Sequence, residues 1–144
     1  MVEPDGSGTR EIPLDVPGQV GSVSWSPNGQ RIAFDVSYPD EGAPKGGLYD
    51  IYSADADGSG VVRLTREGDA RLPAWSPNGT RIAFTRQDGG GSQIFVMNAD
   101  GSGATALTSG SAFNVRPAWS PDGSRIAFES VADSNADILV MNAD

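Results

Sequence analysis

The chain has 144 residues and a net charge of −9, from 19 acidic and 10 basic side chains. That balance argues against nonspecific attraction to nucleic acid or to an anionic membrane. Neither Cys nor His occurs, which excludes disulfides, thiol chemistry, and the commonest general base and metal ligand.

In chain order, the first legible element is the turn Asp5-Gly6-Ser7-Gly8, which recurs as Asp57-Gly58-Ser59-Gly60 and Asp100-Gly101-Ser102-Gly103. Strands follow the later copies: Val61-Val62-Arg63-Leu64-Thr65 and Ala104-Thr105-Ala106-Leu107-Thr108. By position, Thr9-Arg10-Glu11-Ile12-Pro13 is therefore also an outer strand, with Ile12 in the place of Leu64 and Leu107. Next comes Val23-Ser24-Trp25-Ser26-Pro27-Asn28-Gly29-Gln30-Arg31-Ile32-Ala33-Phe34, which returns from Pro73 to Phe84 and from Pro117 to Phe128. Ser-Pro-Asn/Asp-Gly is a tight turn: Pro presets φ, Asn or Asp tolerates the next conformation, and Gly accepts φ > 0. Strands on either side make each copy a hairpin, with Ile and Phe of Arg-Ile-Ala-Phe on one face.

A second hairpin completes each unit. Ile51-Tyr52-Ser53-Ala54, Ile94-Phe95-Val96-Met97-Asn98 and Ile138-Leu139-Val140-Met141-Asn142 are apolar, strand-forming runs that lead to the Gly-Ser turns or end just short of one. One period is thus four antiparallel strands, A to D. The Trp residues stand about 50 and about 44 residues apart, the spacing of a β-propeller blade. The longer first period carries a Gly/Pro-rich insertion, Ser37 to Asp50, between strands B and C. Gly and Pro punctuate the chain too often for helices. No run approaches the ~18 apolar residues of a membrane-crossing helix.

Pro117 to Phe128, followed by Ile138-Leu139-Val140-Met141-Asn142-Ala143-Asp144, and the Gly-Ser-Gly turns with their Leu-Thr strands, closely resemble the TolB-type propeller repeat. The blades resemble WD-repeat (WD40) blades in architecture but lack their Gly-His and Trp-Asp pairs. The resemblance implies an all-β propeller whose blades are usually six to a ring, a periplasmic or extracellular setting, and a protein or peptide strand as ligand. It does not imply one activity.

The expected organisation is one half-propeller domain: an N-terminal D strand and crossover over 1–19, then blades over 20–66, 67–109 and 110–144. The last blade lacks its own D strand, and the chain starts inside a repeat without a signal peptide. The missing strand stands at the front. Three blades of a six-blade ring expose two faces and leave Ile138-Leu139-Val140 as an unpaired edge. A homodimer removes both problems if Thr9, Arg10, Glu11 and Ile12 of each copy pair with Ile138, Leu139 and Val140 of the other. Competing readings are a trimer, and an isolated or engineered piece of a longer propeller. Trp25, Trp75 and Trp119 are read as packing residues between blades.

The chemistry-bearing candidates are few. Asp55-Ala56-Asp57-Gly58-Ser59 alternates oxygen ligands like a calcium loop, but no bidentate Glu follows, and a hairpin turn with Asp accepting backbone N–H groups explains it better. No metal site or cofactor is expected. No nucleophile elbow is present and no Ser can pair with His. Asp40 with Glu41, and Asp133 with Asp137, are acidic pairs on loops and read as solvated. A non-catalytic scaffold or binding module is therefore expected; the alternative is a metal-dependent or carbohydrate-acting propeller enzyme. The binding candidates are Tyr38, Arg71, Phe113 and Arg116, on the irregular loops of one face, where recognition usually sits on a rigid scaffold.

Overall fold

The computed structural model describes residues 8–38, 48–88, 90–133 and 135–144. The turn at 5–8 and the insertion at 37–50 fall largely outside those residues, and Asp40 and Glu41 lie there too. Every regular element among the described residues is a strand.

The three repeats fold as three blades in sequence. The first is β1 (Gln19–Trp25), β2 (Arg31–Tyr38), β3 (Leu48–Asp55) and β4 (Val62–Arg63), hydrogen-bonded in that order. The second is β5 (Ala70–Trp75), β6 (Arg81–Asp88), β7 (Gly91–Asn98) and β8 (Thr105–Ala106). The third is β9 (Phe113–Trp119), β10 (Arg125–Ala132) and β11 (Asn135–Asn142). Within a blade all pairs are antiparallel. Adjacent blades touch through one parallel bridge, Tyr49 with Asp69 and Ser92 with Phe113. The A strands lie side by side, β1 against β5 and β5 against β9, so they form the inner wall.

Each Ser-Pro-Asn/Asp-Gly turn closes as its sequence requires. The Gly29, Gly79 and Gly123 amides donate to the Ser26, Ser76 and Ser120 carbonyls, each at 2.9 Å. All three glycines have φ near +70°, a conformation that Cβ-bearing residues rarely adopt. Two core clusters lie between blades, and a third lies on the outer face of blade 1. Ala33 and Ile51 of blade 1 meet Ile82, Phe84, Phe95 and Met97 of blade 2, and Ala83, Ile94 and Val96 meet Ile126 and Phe128 of blade 3. Phe34, Phe84, Ile82 and Ile94 are fully buried, each contributing about 1.5–3 kcal/mol by leaving water.

One expectation needs correcting. The outer strands β4 and β8 are only two residues long. Thr65 Oγ1 accepts the Ile51 amide and Thr108 Oγ1 accepts the Ile94 amide, each at 2.9 Å, so a side chain replaces the backbone acceptor and ends the ladder. The segment from Thr9 to Pro13 forms no ladder at all. It has the sequence of an outer strand, but no C strand of this chain runs beside it among the described residues.

That segment nevertheless has a defined place. Gly101, in the turn of blade 2, lies so close to Leu64 of the preceding blade that an added Cβ would stand 2.9 Å from the Leu64 carbonyl oxygen. Gly58, the matching glycine of blade 1, is crowded by the front segment one residue further along: its Cβ would stand 2.4 Å from the carbonyl oxygen of Pro13, the counterpart of Thr65, and 2.9 Å from Ile12 Cγ2. Ile12 thus sits where the outer strand of a blade preceding blade 1 would lie.

The two ends of the blade row differ, and the expectation of two bare faces fails at one of them: Leu14 and Val16 of the front segment pack on the outer face of blade 1, where Ile32, Phe34, Val36, Tyr52 and Ala54 are buried. Trp75 and Trp119 pack into the clusters between blades, whereas Trp25 is 53 % exposed. Ile138 and Val140 of β11 are 74 % and 58 % exposed, and no described strand covers the outer edge of β11.

Candidate functional site on the inner wall

Each A strand carries a one-residue bulge at the same place. The register slips between Val20 and Val23, between Arg71 and Ala74, and opposite Ala127 to Glu129 in β9. Bulges re-aim side chains and bend the strand. Leu72 and Arg116 occupy the bulges of blades 2 and 3 with φ of +57°. A side chain in that conformation costs on the order of 1–3 kcal/mol and persists only where neighbours hold it.

The neighbour is the residue after Phe in each B strand. Asp35 is buried, and its carboxylate accepts the Ser22 amide at 2.9 Å and the Leu72 amide at 2.8 Å, clamping the inner strands of blades 1 and 2. A Cβ on Gly21 would overlap that carboxylate at 2.0 Å, so only glycine fits beside it. In blade 2 the same position is Thr85, whose Oγ1 accepts the Arg116 amide at 3.2 Å. In blade 3 it is Glu129, whose carboxylate takes Arg116 Nη1 at 2.5 Å.

These bulges enclose an open cavity of about 330 Å³ whose walls come from all three blades: Ser22 and Asp35, Tyr49, Arg71 and Leu72, and Val115 and Arg116. The Arg71 guanidinium lies over the Tyr49 ring at 5.9 Å, a cation–π contact that orients it.

Of the four sequence-nominated binding residues, Arg71 and Arg116 meet in this cavity. Phe113 lies at the start of β9, half-exposed, on the bridge to Ser92. Tyr38 is engaged elsewhere: its hydroxyl donates to the buried Asp50 and accepts from Arg63 Nη2 at 2.8 Å. Asp50 also accepts from Arg63 at 2.6 Å and from Thr65 Oγ1 at 2.8 Å. Gln93 builds the same bracket in blade 2 with Thr108, Asn114 and the Gly110 carbonyl. Sequence reasoning missed Asp35, Leu72 and Tyr49. The alternation Asp35, Thr85, Glu129 at one repeat position was the available signal.

The Asp-Gly-Ser turns are filled by their own bonds. Asp57 Oδ1 accepts the Ser59 amide at 2.9 Å and its hydroxyl at 2.7 Å, and Asp100 does the same with Ser102. Those bonds hold both carboxyls below their ordinary range. Among the described residues, no group of three acidic side chains converges as a metal site.

The profile of the TolB beta propeller domain family matches residues 5–144. The chain belongs to that family. Among solved structures it is similar to a putative TolB from Agrobacterium tumefaciens, with TM-score 0.75, 25% identity, and coverage of 92% of this chain and 48% of that one. It is similar also to TolB from Acinetobacter baumannii, with TM-score 0.70, 29% identity, and coverage of 85% and 29%. An oligogalacturonate lyase in complex with manganese shares the fold alone, at TM-score 0.68 and 13% identity over 89% of this chain and 40% of that one. The chain therefore spans about half of one TolB and under a third of the other. No curated protein matches the sequence.

Proposed function

We propose that this chain is a non-catalytic half-propeller that assembles with a second copy into a six-bladed ring and binds a protein or peptide segment at its inner wall. One observation carries the assembly: Ile12 and Pro13 crowd Gly58 as Leu64 crowds Gly101, so the front segment occupies the outer-strand position of a blade whose other strands another copy's β9 to β11 would supply. Covering β11 in this way removes an apolar sheet edge from water.

The TolB-type fold and the absence of His and Cys support a binding role over catalysis. The cavity offers two arginines, one stacked on Tyr49, held on strained bulges by buried acceptors; such rigid, amphipathic lining suits a peptide segment bearing a carboxylate. The family's usual setting makes the periplasm or the cell exterior the expected compartment.

Light scattering on the eluting 144-residue chain tests the assembly. The expected mass is twice the 14.9 kDa of one chain; a single-chain mass at micromolar concentration overturns it. Selection of peptides on the assembled protein tests the site. Arg71→Ala should abolish capture while Arg66→Ala, remote from the cavity, should not; equal capture by both refutes the placement.

A further inference from the structure

The internal junction between blades 2 and 3 shows how one blade recognises the next. The Arg81 guanidinium lies over the Trp119 ring at 4.9 Å and donates to the Ala143 carbonyl at 2.9 Å. Trp119 Nε1 donates to the Ala74 carbonyl at 3.0 Å. Arginine, indole and two carbonyls interlock the blades.

The junction between blades 1 and 2 lacks this lock, for a readable reason. Arg31 pairs in register with Asp55, forms an ion pair with it at 3.5 Å, and donates to Ser53 Oγ at 2.9 Å. Its own blade holds it back, and Trp75 Nε1 is left without a partner. In blade 2 the matching positions are Asn98, opposite Arg81, and Val96. Neither can retain a guanidinium by charge, so Arg81 reaches the next blade. Blade 3 repeats the blade 2 pattern: Arg125 stands opposite Asn142, with Val140 two residues before. Arg125 is exposed, with the Asp122 carboxylate of its own turn as a neighbouring charge. At the opposite end of the blade row, Trp25 is the one indole whose face is open.

We propose that Arg125 and Trp25 are the two halves of an intermolecular lock between copies of this chain. This rests on the assembly reading above and names its contacts. Arg125 of one copy stacks on Trp25 of the other, as Arg81 stacks on Trp119. Trp25 Nε1 donates to the Ala118 carbonyl across the junction, as Trp119 donates to Ala74. Arg125 also reaches the Ala56 carbonyl, the counterpart of Ala143. In the single chain that carbonyl accepts Arg10 Nη2 at 3.2 Å, so an arginine-accepting site is already formed there. A twofold dimer makes this lock twice, and burial at the junction strengthens a cation–π contact over its exposed value.

The test is the dimer dissociation constant by sedimentation equilibrium for the wild-type chain and five variants. Trp25→Ala and Arg125→Ala should each weaken the dimer at least tenfold, and the double variant should be no weaker than about the worse single one, because each removes the same contact. Arg125→Lys, which keeps the charge but loses the planar stack, should fall between. Arg66→Ala should match the wild type. Arg125 lies on an exposed surface, so its variants should keep the monomer fold, checked by far-ultraviolet circular dichroism. A wild-type dimer untouched by Arg125→Ala, or losses from Trp25 and Arg125 that multiply in the double variant, refutes the lock while leaving assembly standing. A wild-type monomer refutes the assembly itself.

Discussion

β7 and β11 carry almost the same residues, Ile94-Phe95-Val96-Met97 and Ile138-Leu139-Val140-Met141. In β7 all four side chains are buried; in β11 three are exposed. The strands pair with their B strands in the same register. What differs is the neighbourhood. β7 has an outer strand and a following blade, and β11 has neither among the described residues. Sequence chooses the strand, while the adjoining blade decides whether its apolar face leaves water.

Matched truncations sharpen the contrast. Ile94→Ala should cost about 2–5 kcal/mol in denaturant unfolding, as for any well-packed core truncation. Ile138→Ala should cost under about 0.5 kcal/mol in the dilute single chain, and should instead weaken self-association. Equal losses at both sites in dilute protein would erase the distinction.

The inner clamp gives the next largest effect. Asp35→Asn turns one of two accepting oxygens into a donor that faces a backbone N–H. A loss of about 1–3 kcal/mol is expected, with faster amide exchange at Ser22 and Leu72. Thr85→Val, which removes the single acceptor of the Arg116 amide, should cost less, about 1 kcal/mol. If Asp35→Asn proves as stable as wild type, the carboxylate is not what holds Leu72 at its strained φ.

The smallest effect is a pH dependence. Asp122 accepts from Ser120 Oγ and from the Ser124 amide and hydroxyl, which lowers its carboxyl to about 2. A depressed carboxyl stabilises the fold above its ordinary value of 3.8, and that contribution disappears as pH falls through about 2. Blades 1 and 2 hold Asn28 and Asn78 at this position, making the same turn bonds. Asp122→Asn should leave neutral-pH stability close to that of the wild type and reduce the loss between pH 4 and pH 2, read from acid titrations of the two proteins. An unaltered acid profile would remove Asp122 from the account.

Blade count, strand order and turns were legible because each repeat states them in its own residues: Trp, Ser-Pro-Asn/Asp-Gly, Arg-Ile-Ala-Phe. The inner-wall cavity was legible only in part. Arg71 and Arg116 were visible as loop-face side chains. Their convergence depends on bulges, and on positive φ at Leu72 and Arg116, residues whose side chains give no hint of it. Asp35 acts across two blades, so no local pattern announces it. Tyr38 looked available because its partner Asp50 is twelve residues away in sequence. The front segment's sequence reads as a strand, but strand formation needs an edge to pair with, and position alone does not provide one.

Disulfide trapping tests the central claim most directly, because the natural chain has no Cys. The repeat register, Phe95 opposite Ala106 and Val96 opposite Thr105, places Glu11 of one copy opposite Leu139 of the other, within reach of a disulfide. The Glu11→Cys, Leu139→Cys double variant should oxidise to a covalent dimer on a non-reducing gel. A bond closed within one chain, or none at all, would contradict the exchange.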